Sequence, residues 1–184
     1  MNVSKIAING FGRIGRLTLR AFFAKKTEEF EISAINDLGN VESNIHLYKY
    51  DTVHGKCKER INNNSGTVTI NNQEIKFLSE PNPSKLPWRD LDIDLVIEST
   101  GFFTDRNGAE KHLEAGAKKV LISAPAKDPD FTVVYGVNDN DLIDDHKIVS
   151  NASCTTNCLA PLAYLLENSV GLESGYMTTV HSVT

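Results

Sequence analysis

The feature that most narrows the fold is a six-residue turn, Gly10-Phe11-Gly12-Arg13-Ile14-Gly15. It lies between a short β-rich run, Val3–Ile8, and a helical pattern over Arg13–Lys25. Glycines fall at G-x-G-x-x-G spacing by chance in many chains, but strand, turn and helix in this order are the context the motif requires. Each glycine then has a physical task. Gly10 permits the tight turn, Gly12 lets the backbone approach a pyrophosphate, and Gly15 lets helix and strand pack closely. The helix N-terminus adds N–H donors and positive potential. Asp37 ends a second predicted strand, Glu31–Asn36, 22 residues after Gly15. A carboxylate there suits ribose hydroxyls and repels a 2′-phosphate, which favours NAD over NADP. The competing reading, a Gly-rich turn with Asp37 as a helix cap, accounts for fewer of these features together.

The same alternation of apolar runs and helical patterns continues, which predicts βαβ units and a parallel sheet. Val41–Tyr50 reads as a helix. Thr67–Ile70 and Glu74–Leu78 flank Asn71-Asn72-Gln73 and read as an antiparallel hairpin near one edge. Asn62-Asn63-Asn64 reads as a turn. Leu95–Ile97 has the continuous apolar character of a strand covered on both faces. Thr104 is expected to cap a helix running to about Ala115, with Gly116 at its end. Val120–Ser123, Thr132–Tyr135 and Lys147–Val149 are further predicted strands. A last helix is expected from near Cys154 to about Asn168, and Gly171–Thr184 has β-rich spacing.

With 184 residues, 40% hydrophobic and 23% charged, the chain has the composition of a soluble globular protein. Its longest run free of charged or strongly polar residues, Cys158–Leu166, is nine residues and is broken by Pro161. A membrane-spanning helix needs about 20. The first residues, Met1-Asn2-Val3-Ser4-Lys5, lack the pattern of a signal peptide. Three cysteines in no framework spacing argue against a disulfide scaffold. A net charge of -5 disfavours nucleic-acid or anionic-membrane surfaces, while leaving room for a local phosphate pocket. A cytosolic protein is expected.

A second candidate site is Ser153-Cys154-Thr155-Thr156-Asn157-Cys158, where strand gives way to helix. Unpaired N–H groups at a helix start favour a thiolate, so Cys154 is a candidate nucleophile. Ser153 and Thr155 flank it with hydroxyls suited to a phosphate or carbonyl oxygen. Cys158, one helical turn on, shares its face and is expected to pack as a small apolar residue if buried. Simple packing of both thiols is the competing reading. His181, 27 residues after Cys154 on an expected strand, shifts the balance, because a Cys–His pair is the minimal activated thiol. His46, His54, His112 and His146 are expected at the surface. No pair of cysteines and histidines has zinc-site spacing, so no metal is expected.

A dinucleotide site plus a thiolate points to aldehyde oxidation. The thiolate attacks the carbonyl, the hemithioacetal loses hydride to the nicotinamide, and a second nucleophile resolves the thioester. At this point the chain resembles the glyceraldehyde-3-phosphate dehydrogenase family. The resemblance is carried by Ile8–Arg16, Ile35–Leu38, Tyr50–Gly55, Glu98–Thr104, His112–Val120 and Ser150–Pro161. It implies a Rossmann-type, doubly wound, mostly parallel α/β domain over residues 1–152. The start of an α+β catalytic domain would then occupy 153–184. It further implies that Asn9, Gly10, Phe11, Gly12, Arg13 and Ile14 meet the NAD cofactor, with Asn36, Asp37, Thr100, Gly101 and Ser123. Cys154 would be the nucleophile and His181 its activator and base. Ser153 and Thr155 would contact the aldehyde or inorganic phosphate, and Thr184 the phosphate of the triose phosphate substrate.

The family usually has Arg or Lys beside the adenine just after a Glu; here Pro81 follows Glu80, which leaves a backbone contact at that point. A cytoplasmic homotetramer acting on small molecules, with no nucleic-acid or membrane partner, is the expectation. Family members continue for nearly as long again after His181, so the 184 residues alone are expected to turn over poorly or not at all. Erythrose-4-phosphate dehydrogenase is the near alternative within the enzyme class. An inactive NAD-binding fragment is the alternative outside it, and a redox-sensing Cys154–Cys158 pair is disfavoured by helical disulfide geometry.

Overall fold

The computed structural model describes residues 3–25, 27–64 and 67–181. Its centre is a nine-stranded sheet. The parallel strands are β1 (Ser4–Asn9), β2 (Phe30–Asn36), β7 (Gln73–Leu78), β8 (Leu95–Glu98), β9 (Lys119–Ile122), β10 (Phe131–Thr132) and β11 (Ile148–Ser150). The antiparallel ones are β5 (Ile61–Asn64) and β6 (Thr67–Ile70), beyond β7. A separate two-stranded ribbon joins β3 (Tyr50–Asp51) to β4 (Gly55–Lys56). The helices are α1 (Arg13–Lys25), α2 (Val41–Lys49), α3 (Arg106–Glu114) and α4 (Cys154–Val170). The large sheet runs in the order β10-β11-β9-β8-β1-β2-β7-β6-β5. From β1 the chain winds outward to β2, then returns to the other side of β1 through β8. The expected doubly wound, mostly parallel sheet is therefore present, and β1 and β8 flank its switch point. In open α/β sheets ligands bind outside the carboxyl ends of the strands at such a point.

Two apolar layers hold the sheet. Leu19 of α1 and Tyr48 of α2 pack with Phe11, Ile8, Ile32 and Ile35. Trp88, Ile93 and Val96 pack with Ala7 and Ala34. Buried on both faces, the central strands are continuous apolar runs, and replacing fully buried Leu19 by Ala would cost about 2–5 kcal/mol.

Several local expectations are corrected. Asn62-Asn63-Asn64 is strand, paired to β6 with Ile61 opposite Ile70. Ile61 packs on the core while Asn62 and Asn63 are exposed, a composition that suits an edge strand. The tight turn lies instead at Asn71-Asn72, both at positive φ (49° and 72°), which asparagine tolerates. Helix α3 is capped by Asp105 rather than Thr104: its Oδ1 accepts from Gly108 N–H at 2.7 Å. Gly116 does end that helix region, at φ 111°.

Strand β10 stops at Thr132, because the Val134 N–H turns to Asn138 Oδ1 at 2.7 Å and Gly136 takes positive φ. Residues 171–181 form no strand: a strand needs a hydrogen-bonded neighbour, and among the described residues none is offered. His112, expected at the surface, is fully buried. It lies on the face of α3 that carries Ala109, one turn earlier, and the sheet supplies polar partners for its ring.

Candidate functional site

The turn after β1 conforms to its sequence for physical reasons that differ at each glycine. Gly10 has φ 92°, and a Cβ there would sit 2.6 Å from Thr100 N and 2.8 Å from Ser99 C. A Cβ on Gly15 would collide with the Gly10 carbonyl oxygen and come within 3.1 Å of the Ile8 side chain. Gly12 has neither constraint, since a Cβ there would meet nothing within 4 Å. Its smallness serves nothing in the folded chain; it keeps open the space in front of the turn.

That space is a cleft of about 340 Å³ over the switch point. One wall is Asn36, Asp37, Leu38, Glu80 and Pro81; the other is Ser99, Thr100, Phe102 and Phe103; Asn9, Gly10 and Gly12 form the floor. Leu38 is 65% exposed and Phe102 86% exposed, so two apolar side chains stand at the mouth. Of the NAD-site candidates, Asn9, Gly10, Gly12, Asn36, Asp37 and Thr100 line it. The Phe11 ring does not. It is buried against Tyr48 and Phe77, with centroids 6.1 and 5.7 Å away. Arg13 and Ile14 begin α1, where N–H groups lack intrahelical partners. The Arg13 guanidinium is paired with Asp51 at 2.6 Å. Gly101 has φ 78°. Ser123 follows β9, donates its N–H to Glu98 O at 3.0 Å, and lies outside the cleft lining.

Asp37 both ties the turn and faces the cleft. Its Oδ2 accepts from Phe11 N–H at 2.7 Å; its Oδ1 accepts from Gly39 N–H at 2.8 Å and Asn44 Nδ2 at 2.9 Å. Of about four lone-pair directions on a carboxylate, one on Oδ2 remains for a ligand hydroxyl. Burial pushes this carboxyl up, but the Asn44, Phe11 and Gly39 hydrogen bonds and the nearby Arg16 charge together hold it below the usual range. Asp37 is not the cap of α2. Asn40 is, accepting from Glu42 N–H at 2.8 Å and Ser43 N–H at 3.2 Å.

The cleft fits a dinucleotide: an open cradle that a Cβ on Gly12 would enter, a helix N-terminus beside it, and a free carboxylate lone pair. Leu38, Ser99, Phe102 and Phe103 are cleft residues that the sequence reading does not single out. Their signal is positional, because each follows the carboxyl end of a strand next to the switch point.

The second site begins at Ala152, a non-glycine residue at φ 55°, which turns the chain from β11 into α4. Ser153 caps the helix. Its Oγ accepts from Thr156 N–H at 2.9 Å and lies 2.7 Å from Thr156 Oγ1, so the hydroxyl expected to meet substrate is engaged by the helix. Asn157 Nδ2 donates to Asn151 O at 2.7 Å and Ser153 O at 2.9 Å, which braces the turn. Cys154 is the first helical residue and its thiol is exposed; Thr155 is half-buried beside it. Cys158 is exposed too, so the burial under which it would pack as a small apolar residue is not met. His181 is exposed, its Nε2 is 2.8 Å from Thr179 Oγ1, and among the described residues no hydrogen bond joins it to Cys154. Thr184 lies outside the described residues.

Two family models match the chain: the glyceraldehyde 3-phosphate dehydrogenase NAD binding domain over residues 4–106 and the C-terminal domain of the same family over 153–184. The glyceraldehyde-3-phosphate dehydrogenase of Xanthobacter flavus is 51% identical over 180 residues, covering 98% of this chain and 54% of the relative. That of Thermotoga maritima is 50% identical over 182 residues (99% and 55%), and that of Streptomyces coelicolor 52% over 182 (98% and 54%). The chain thus spans about half the length of the curated relatives it matches. The NAD-binding model begins at β1 and takes in the Gly-rich turn, Asp37, Glu80 and Thr100, the same residues that build the cleft. The cleft is therefore that of an NAD-binding domain, and the chain belongs to the glyceraldehyde-3-phosphate dehydrogenase family.

Proposed function

We propose that the protein catalyses the NAD-dependent oxidative phosphorylation of D-glyceraldehyde 3-phosphate to 1,3-bisphosphoglycerate, the glycolytic reaction. The observation that carries this is the exposed Cys154 thiol at the first position of a capped helix, in a chain whose other site is an NAD cleft. Residues 1–152 form the cofactor unit and residues from 153 begin the catalytic unit. NAD, when bound, supplies the hydride acceptor. Asp37 offers its remaining lone pair to the ribose, and the first turn of α1, from Gly12 to Ile14, offers N–H groups to the pyrophosphate. Asn9, Phe11, Asn36, Thr100, Gly101 and Ser123 complete the cofactor assignment, Phe11 through its backbone.

At the thiol, the Cys154 sulfur adds to the aldehyde carbon while its proton passes by way of His181 to the carbonyl oxygen, giving a hemithioacetal. His181 takes the hydroxyl proton as hydride departs, leaving a thioester on Cys154. Inorganic phosphate then attacks the thioester, releasing the acyl phosphate and the thiolate. Thr155 and Ser153 receive the phosphate or carbonyl oxygen, Ser153 while also capping the helix, and Thr184 the substrate's phosphate. To act, His181 Nε2 exchanges its hydrogen bond with Thr179 for one with the thiol or the hemithioacetal hydroxyl. Among the described residues no helix is long and apolar enough to cross a membrane. A cytoplasmic homotetramer without nucleic-acid or membrane partners completes the proposal, on the strength of the family.

The test is NADH formation from the triose phosphate with NAD and inorganic phosphate. Cys154→Ser should abolish turnover and acyl-enzyme formation while NAD affinity stays within about threefold, less than 1 kcal/mol. Wild-type-like turnover of that variant, or faster turnover of the four-carbon aldehyde phosphate, would overturn the assignment.

A further inference from the structure

Beneath the cleft, Asn9, Asn36 and Thr100 of its lining are joined to three residues that the chemistry above does not use, Glu98, His112 and Trp88. Glu98, His112, Asn9 and Trp88 are each at most 1% exposed and Asn36 is 5% exposed. The direction of each hydrogen bond follows from one end. Trp88 Nε1 can only donate, and it lies 2.9 Å from His112 Nδ1, so Nδ1 accepts and the ring proton sits on Nε2. Nε2 then donates to Glu98 Oε2 at 2.9 Å, and Asn9 Nδ2 donates to the same oxygen at 2.6 Å. The 3.4 Å between Asn9 Nδ2 and His112 Nε2 is the spacing of two donors sharing one acceptor. Glu98 Oε1 accepts from Thr100 N–H at 2.8 Å and from Thr100 Oγ1. Four donors thus occupy the carboxylate's acceptor sites.

With Nδ2 of Asn9 committed to Glu98, its Oδ1 accepts from Asn36 Nδ2 at 2.7 Å. Asn36 in turn clasps one backbone residue on both sides. Its Nδ2 donates to Glu80 O at 2.9 Å and its Oδ1 accepts Glu80 N–H at 2.8 Å. On the other side of β1, Thr100 Oγ1 accepts Phe102 N–H at 3.1 Å. Both walls of the cleft, Glu80–Pro81 and Thr100–Phe102, therefore hang on one buried carboxylate. Pro81 has no N–H, so the clasp on Glu80 carries the backbone on that wall.

We propose that Glu98, oriented by His112 and Trp88, is a positioning residue that sets the spacing of the two walls and so the affinity for the adenine half of NAD. The inference rests on the NAD reading of the cleft. It says nothing of Cys154, whose chemistry lies at the other site.

The experiment uses the intact protein and two substitutions at His112. Gln presents an acceptor and a donor much as Nδ1 and Nε2 do; Phe fills the volume and offers neither. His112→Phe should weaken AMP binding and raise the KM for NAD about tenfold, equivalent to about 1.4 kcal/mol, with kcat within about twofold. His112→Gln should stay within about threefold of wild type on both measures. If His112→Phe does not fold, isosteric Glu98→Gln sets an N–H against a donor on one side, and its KM for NAD should rise about threefold or more. A folded His112→Phe protein with wild-type AMP affinity would overturn the proposal. So would equal losses in the Gln and Phe variants, or a kcat loss at unchanged KM. Wild-type protein that fails to bind NAD would overturn the cleft reading itself, and the inference with it.

Discussion

Alanine at Gly12 separates two kinds of glycine that look alike in the motif. The backbone of Gly12 is not in the left-handed region, and a Cβ there meets nothing within 4 Å. Gly12→Ala should change stability by less than about 1 kcal/mol, and the lower entropy of the unfolded chain can make the change favourable. Gly10→Ala is different. A left-handed alanine costs about 1–2 kcal/mol, and pushing a Cβ against Thr100 N and Ser99 C adds about 1–3 kcal/mol of overpacking. The sum, about 2–5 kcal/mol, is a large share of the 5–15 kcal/mol that holds a typical domain together.

NAD binding should show the reverse order. The methyl group that Gly12→Ala introduces would occupy the approach to the pyrophosphate, so this variant should lose about tenfold or more in affinity while remaining folded. Urea titration gives the stabilities, and calorimetric titration with NAD gives the affinities. Gly12→Ala protein that binds NAD as well as wild type, or that unfolds as readily as Gly10→Ala, would refute the reasoning.

Three other outcomes are expected. Asp37→Ala should weaken NAD binding more than NADP binding, and equal losses would remove ribose recognition from Asp37. The carboxyl of Asp37 sits below its unfolded value of 3.8 in the folded chain, so its contribution is present above that pH and is lost as pH falls through the lower folded value. Asp37→Asn should therefore flatten the acid limb of the stability curve in this window, checked by denaturant midpoints against pH; an unchanged limb would contradict the hydrogen-bond account. With His181 bonded to Thr179 and, among the described residues, not hydrogen-bonded to Cys154, iodoacetamide should alkylate Cys154 of the 184-residue chain at the same rate in wild type and His181→Asn. A slower variant would show that the imidazole reaches the thiol.

What can be read directly from the residues is local or periodic. The strands β1, β2, β8 and β9, helix α1 to the residue, the turn at Gly10 and the helix start at Cys154 all lie where apolar runs and glycines place them. These signals depend on neighbours a few positions apart, and the chain carries them in its own spacing. The pairing of Asn62–Asn64 escapes such a reading because an asparagine run resembles a turn until a partner strand takes its backbone. Asp105 displaces Thr104 as cap because both residue types can cap and only the backbone geometry chooses.

His112 shows the limit most clearly. A histidine one turn beyond Ala109 looks like a surface residue, and nothing local tells it that Trp88 and Glu98 will stand on either side. Those three residues meet only when α3 docks on the sheet, and Asn9 joins them from 103 positions away. The order of residues thus settled which segments become most of the strands and helices, because those depend on short-range geometry. Which glycine is crowded and which stands open, and which carboxylate lines the cleft and which is buried beneath it, were decided by packing. Steric contact and hydrogen-bond direction are properties of atoms brought together from distant parts of the chain.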